Sequence, residues 1–279
     1  MWVDAHVHFW RLANKHPIRI NELIGGLARD FEIEDLEPIC TALEIRRLVL
    51  VQAAQSAEET DFLLKQREGR PDLIGAVVGW VDLSSVDVGA EVDRRRSQSG
   101  FVGVREMAAF ADDSDYLLGE RFQRGLEALS AQRLSLDLVL RPDQLRVGCK
   151  LLARNPELRV NINHCGRPVV QCREWSTWAD GMATLARLPN ATCKLSGLIE
   201  RGGFEWTLGD LKPYVAHLVE AFGCERLLFA SNWPVLNLTG TYERWWSAVQ
   251  ELLDSFGLDA SDRENILRNA AARFYSLDG

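Results

Sequence analysis

The sequence predicts a (β/α)8 barrel of the α/β class, and three observations carry that prediction. The chain has 279 residues, close to the ~250 of a barrel built from eight strand-helix units. Short β-rich runs alternate with helical patterns from end to end. Several of these runs are almost continuously apolar, as parallel strands buried on both faces must be. No Gly-, Ser- or Pro-rich linker divides the chain, so residues 1–279 are read as one domain with strands near 2–8, 46–53, 74–82, 101–107, 135–141, 159–165, 191–196 and 226–232.

Strand side chains alternate, so the first run directs His6 and His8 to one side. Leu36, Ile39, Cys40 and Leu43 follow at helical spacing and give one helix an apolar stripe for the barrel wall. The run Arg47-Leu-Val-Leu-Val-Gln52 ends on a polar residue, and Ser56 with Glu59 has the pattern of a capping box opening the next helix. Arg94-Arg95-Arg96, beside Glu91 and Asp93, reads as a solvated helix face. The run from Phe101 ends in Arg105-Glu106; one side chain enters the barrel mouth and the other turns to the wall. Arg141 closes a strand just before Pro142.

In Val160-Asn-Ile-Asn-His164 an alternating strand runs into Gly166 and Pro168, which end it with His164 free to face the centre. Lys194 interrupts an apolar strand and must reach a carboxylate or the wet mouth. The last strand ends in Ser231-Asn232-Trp233-Pro234. Trp245, Val249 and Leu252 give a late helix its stripe, and Ser261 with Glu264 reads as a second capping box.

Hydrophobic residues make up 47% and charged residues 26%, the composition of a soluble globular domain with a sizeable core. A net charge of −8 argues against a nucleic-acid surface, which needs clustered Lys and Arg. No apolar run approaches the ~20 residues of a membrane helix. No leader pattern precedes the first strand. The six cysteines form no C-x-x-C pair and read as reduced thiols, so a cytoplasmic protein is expected. No glycine-rich phosphate cradle is present. Nothing points to a partner protein, and oligomeric state is not legible.

Active sites of this fold gather at the C-terminal ends of the strands, where His6, His8, Gln52, Glu106, Arg141, His164, Lys194 and Asn232 all fall. A His-x-His strand suits a divalent metal, zinc or manganese, with Glu106 as an oxygen ligand; the same residues also fit a merely polar mouth. His164 can bind metal, orient a water or donate to a substrate oxygen. Gln52, Arg105, Arg141 and Lys194 are candidates for gripping hydroxyl or carboxylate oxygens, although Arg141 equally suits a salt bridge at a helix start. Trp233 and Trp10 suit either a wall against a sugar ring or the core. His16 and His217, in a loop and a helix, are assigned no chemistry. Asp112-Asp113-Ser114-Asp115 lacks the pattern of a calcium loop.

Asp4-Ala-His6-Val-His8-Phe-Trp10, Asn163-His164-Cys-Gly166-Arg-Pro168, Cys193-Lys194-Leu-Ser196-Gly197 and Ser231-Asn-Trp233-Pro234 together resemble the amidohydrolase-type sugar lactonases, the group containing L-fuconolactonase and L-rhamnonolactonase. The likeness extends through Asp30-Phe-Glu-Ile-Glu-Asp-Leu-Glu-Pro38, Gly79-Trp-Val-Asp82 and Asn269-Ala-Ala-Ala-Arg-Phe-Tyr275, and so spans the chain. It implies a hydrolase in which water attacks the ring carbonyl of a small-molecule sugar lactone, giving the aldonic acid. It also implies that His6, His8 and His164 are active-site histidines. Members differ in metal use, so metal at His6, His8 and Glu106 is conditional.

The resemblance further implies an aspartate at position 232 as general base, and this chain has Asn232, an amide without useful basicity. Three readings stay open: an engineered Asp-to-Asn change, a natural enzyme whose base is another group such as His164 or a metal-bound hydroxide, and a lactone-binding protein without turnover. A metal-dependent decarboxylase of an aromatic or muconate-type acid is the alternative reaction on the same barrel.

Overall fold

The computed structural model describes residues 1–14, 26–170 and 175–277. The eight strands are β1 (Trp2–Val7), β2 (Ile45–Val51), β3 (Ile74–Gly79), β4 (Phe101–Glu106), β5 (Ser135–Leu138), β6 (Val160–Ile162), β7 (Ala191–Leu195) and β8 (Leu227–Phe229). They pair in sequence order, each parallel to the next. The ring is completed just beyond the ends of β8 and β1, where Asn232 N donates to His6 O at 2.9 Å and His8 N to Trp233 O at 2.8 Å. The expected (β/α)8 barrel is therefore the observed one, and the histidine pair lies on its seam.

Helices cover the outside. In α1 (Ile33–Ala42) Leu36 and Cys40 are buried, while Ile39 packs against the core from its edge. The helix α2 (Ala57–Gly69) starts at Ser56, whose Oγ accepts from Glu59 N at 3.0 Å. The box is only half formed, because the Glu59 carboxylate turns back to accept from Ala53 N at 3.0 Å and Ala54 N at 2.7 Å. It thereby pins the turn after Gln52, and its burial raises the Glu59 pKa to about 8.

In α3 (Val88–Arg96) the basic run is not uniformly solvated. Arg94 and Arg96 are exposed, but Arg95 is fully buried, paired with Glu91 at 3.0 Å and with Asp61. A guanidinium with two carboxylates in reach can be buried where a lone one cannot. The helices α4 (Glu120–Ala131), α5 (Leu145–Arg154) and α6 (Ser176–Ala186) continue the outer ring. After β7 come the short α7 (Ile199–Gly202) and then α8 (Leu208–Phe222).

In α9 (Tyr242–Ser255) Trp245, Val249 and Leu252 are buried as their spacing predicts. The helix α10 (Ala260–Glu264) begins two residues earlier than Ser261 suggests. Asp259 is its cap, accepting from Asp262 N at 2.9 Å. An ionised Asp suits a helix N-terminus at least as well as Ser. The chain then enters α11 (Ala270–Tyr275).

Two buried clusters divide the strand side chains. Leu48, Leu50, Leu227 and Phe229 pack in the larger one with the helices, whereas Val3, Ala5, Val49, Val51, Ala76, Val78, Leu228 and Ala230 pack in the smaller one with Phe274, Tyr275 and Leu277. Alternation along β2 and β8 puts the smaller cluster on the inner wall, and the C-terminal helix supplies its plug.

Candidate active site

The inward positions of β4, β5 and β7 carry charge and that of β6 an asparagine, where those of β1 to β3 and β8 carry valine, alanine and leucine. Lys194, fully buried, pairs with Asp137 and lies 3.1 Å from His6 Nδ1. The Asp137 carboxylate also accepts from Tyr275 Oη at 2.8 Å and Asn163 Nδ2 at 3.0 Å. Arg105 donates to Gln52 O at 2.8 Å and Asn163 Oδ1 at 3.1 Å, and its third nitrogen is 3.0 Å from His164 Nε2. Of the Arg105-Glu106 pair, Arg105 is thus the one inside.

These contacts fix the histidine tautomers. His8 Nδ1 is 2.7 Å from Val51 O and must donate to it. The ammonium of Lys194 donates to His6 Nδ1, which leaves His6 Nε2–H to donate to His8 Nε2 at 3.1 Å. His164 accepts from Arg105 on Nε2 and so donates from Nδ1 to Ser196 Oγ at 3.0 Å. Burial lowers the pKa of all three rings, His8 to about 3, and the cations Lys194 and Arg105 lower them further. The rings are neutral, with each ring nitrogen engaged.

Backbone conformation sets the histidines in place. His164 and Cys165 both have φ of 54°, left-handed values that a non-glycine residue adopts only when its surroundings enforce them. Gly197, at φ of 72°, is one such constraint: a Cβ there would lie 2.5 Å from His164 Cβ. At the seam, Asp4 accepts from His6 N at 3.0 Å, Ser231 N at 2.9 Å and Tyr242 Oη at 2.8 Å. It clips β1 to the segment after β8.

Asn232 sits on that segment with φ of 63°. Its Nδ2 donates to Glu200 Oε1 at 2.6 Å, and the same side chain is within hydrogen-bonding reach of His8. His6, His8, His164, Gln52, Arg105, Lys194 and Asn232 are therefore brought together as their strand ends predict.

Three expected participants are elsewhere. Glu106 accepts from Tyr116 Oη at 2.7 Å and lines a separate cavity with Trp80, Asp82 and Tyr116. Arg141 is held by Asp143 and by the carbonyls of Ala109 and Ala111, so it braces a loop. Trp233 is buried edge-on between Phe9 and Phe31, at 6.0 and 5.4 Å between centroids, and offers no face to a ligand; Trp10 is likewise core. His217 donates to Ala179 O at 2.9 Å and packs on Trp178. His16 and Cys172 lie outside the described residues.

The expected metal set of His6, His8 and Glu106 is consequently not assembled, and among the described residues no three His, Cys, Asp or Glu side chains are grouped to hold a metal ion. Two cations, Lys194 and Arg105, lie within hydrogen-bonding distance of His6 and His164. That donor set does not fit a resident divalent ion.

Asp137, Asn163, Tyr275 and Glu200 were not singled out from sequence. Asp137 left a trace, a carboxylate between Leu136 and Leu138 on a strand buried on both faces. Tyr275 fell only within the closing motif quoted for the resemblance, and Glu200 left no trace.

The amidohydrolase family model matches residues 3–277. The chain belongs to the amidohydrolase family. It is 33% identical to an L-fucono-1,5-lactonase of Burkholderia ambifaria, over 99% of this chain and 96% of that one. An L-fucono-1,5-lactonase of Burkholderia multivorans is 31% identical, again over 99% and 96%. The crystal structure of a Burkholderia multivorans amidohydrolase with bound zinc superposes with a TM-score of 0.90 at 29% identity, covering 99% of both chains. Family membership and these relatives support hydrolase activity for the chain. No helix among its described residues is long and apolar enough to cross a membrane.

Proposed function

We propose that this amidohydrolase opens a sugar lactone to its aldonic acid, with a six-membered 1,5-lactone of a deoxy sugar as the first candidate substrate. The observation that carries the reading is the buried pair of cations, Lys194 and Arg105, each bonded to a neutral histidine at the barrel mouth.

A lactone is already an activated ester. The protein must hold it, stabilise the tetrahedral oxyanion and manage one proton. Every imidazole N–H is already committed, so negative charge developing on the carbonyl oxygen would meet the fixed positive charge of Lys194 and Arg105 behind the rings, whose ammonium and guanidinium N–H groups are the donors the fold orients. Such preorganised donors are each worth roughly 10²–10³ in rate. Gln52, whose Oε1 is buried without a partner, is the candidate for receiving a substrate hydroxyl. Zinc is bound in the Burkholderia multivorans structure, but no step here is assigned to metal.

The test is proton release in weak buffer from a panel of five- and six-membered sugar lactones, run beside carbon dioxide release from aromatic acids. Catalytic proton release from a lactone is the expected result. Carbon dioxide from an aromatic acid, or lactone binding without turnover, overturns it.

A further inference from the structure

If the site hydrolyses a lactone, it needs a proton acceptor, and neither its three histidines nor its amides Gln52 and Asn232 can be one. Every imidazole nitrogen is engaged: His6 between Lys194 and His8, His8 on Val51 O, His164 between Arg105 and Ser196. The free oxygen of Gln52 belongs to an amide and is not basic. Asn232 is an amide for the same reason.

A carboxylate does stand behind Asn232. Glu200, at the start of α7, has Oε1 held by Asn232 Nδ2 at 2.6 Å, while its Oε2 is buried and has no partner. Two arginines face it, Arg167 from the turn after β6 and Arg201 from its own helix, each with an unpartnered Nε. Glu200 caps no helix, since α7 has no side-chain cap bond. A buried carboxylate oxygen left unpaired is costly, and this one belongs to the carboxylate bonded to the amide that reaches His8. Burial is the main cause that raises the Glu200 pKa, to about 7, and the Asn232 bond and the two arginines oppose it. That value suits a group that must both take and return a proton near neutrality.

We propose that Glu200 is the general base of this site, with Asn232 as the positioning residue that holds it. The proposal rests on the lactonase reading. Glu200 takes a proton from water as the water oxygen bonds to the lactone carbonyl carbon and the C=O pair moves onto oxygen. When the carbonyl re-forms, the bond from that carbon to the ring oxygen breaks, and the ring oxygen takes the proton from Glu200. The new carboxylic acid releases the remaining water proton to solvent.

The experiment compares the parent with Glu200→Gln and Asn232→Asp on the lactone that the panel identifies, measuring kcat, KM and the pH profile of kcat. For Glu200→Gln the expected result is a fall in kcat of ~10²–10⁴ with KM little changed and loss of the parent's decline below pH of about 7. Asn232→Asp sets a second carboxylate against the first, and like charges raise the pKa, so the decline should move to higher pH. This variant also covers the case in which Glu200→Gln fails to fold. A Glu200→Gln enzyme that keeps its kcat or its decline overturns the proposal, as does an unmoved decline in Asn232→Asp. A parent that turns over no lactone overturns the lactonase reading and this proposal with it.

Discussion

The barrel has two inner walls made to different rules. On β1, β2, β3 and β8 the inward positions Val3, Ala5, Val49, Val51, Ala76, Val78, Leu228 and Ala230 pack as aliphatic core. On β4, β5 and β7 the inward positions Arg105, Asp137 and Lys194, with Asn163 just past β6, form one connected polar network, and Tyr275 reaches it from the chain's far end. The histidines β1 contributes sit at the lip, where the dry wall meets the wet one. The aliphatic half gains stability from area removed from water. The polar half gains little net stability from its charges, which must recover their desolvation cost from each other, but it fixes donors in space.

The contrast is tested hardest by Asp137→Asn. It keeps the side chain's shape and leaves the Lys194 ammonium buried without its counter-charge. Breaking a buried pair from one side costs ~3–5 kcal/mol, and denaturant unfolding near pH 7 should show it. The pH dependence has a definite sign. Burial lowers the Lys194 pKa to about 8, with Asp137 the first influence opposing it. Without Asp137 the pKa falls further, so the variant loses its proton at lower pH than the parent. The stability difference should shrink as pH rises through 8, where the parent's lysine also becomes neutral. A difference independent of pH would mean the pair is not held by charge.

Val49→Ala probes the other wall. Two methyl groups leave a fully buried position in β2, and at ~0.8 kcal/mol per group plus a cavity term the loss should be about 2 kcal/mol. It should be the same at every pH, and turnover per folded molecule should be unchanged. A drop in kcat would show that the dry wall helps place the histidines.

The two walls were not equally legible in the sequence. Runs such as Leu48-Val-Leu-Val51 announce a strand buried on both faces, and eight of them in alternation left few folds to consider. The lip was legible as well, because His6, His8, His164, Lys194 and Asn232 interrupt apolar runs at strand ends. The partners were not. Glu106 and Arg105 are neighbours on β4, and alternation puts only one inside without saying which. Arg141 and Trp233 also lie at strand ends, but local contacts with Asp143, Phe9 and Phe31 claim them. Glu200 is delivered by the left-handed turn at Gly197, and Tyr275 by a helix 138 residues from the aspartate it meets. Neither spacing nor periodicity reports contacts of that range.

Tyr275→Phe is the gentlest way to sharpen the comparison, since Tyr275 belongs to both walls. Its ring packs in the aliphatic cluster while its hydroxyl donates to Asp137 Oδ1 at 2.8 Å. Removing the oxygen leaves the packing intact and takes one of the bonds that hold the Asp137 carboxylate. A neutral donor to a charged acceptor contributes ~1.5–3 kcal/mol at most. Asp137 keeps Lys194 and Asn163, so the loss should fall near the low end, at about 1.5 kcal/mol. Thermal unfolding measures it, and the cycle with Asp137→Asn decides its origin. If the hydroxyl acts through Asp137, the two losses will not add; if they add, the plug stabilises the barrel only as core, and the polar wall ends at the aspartate.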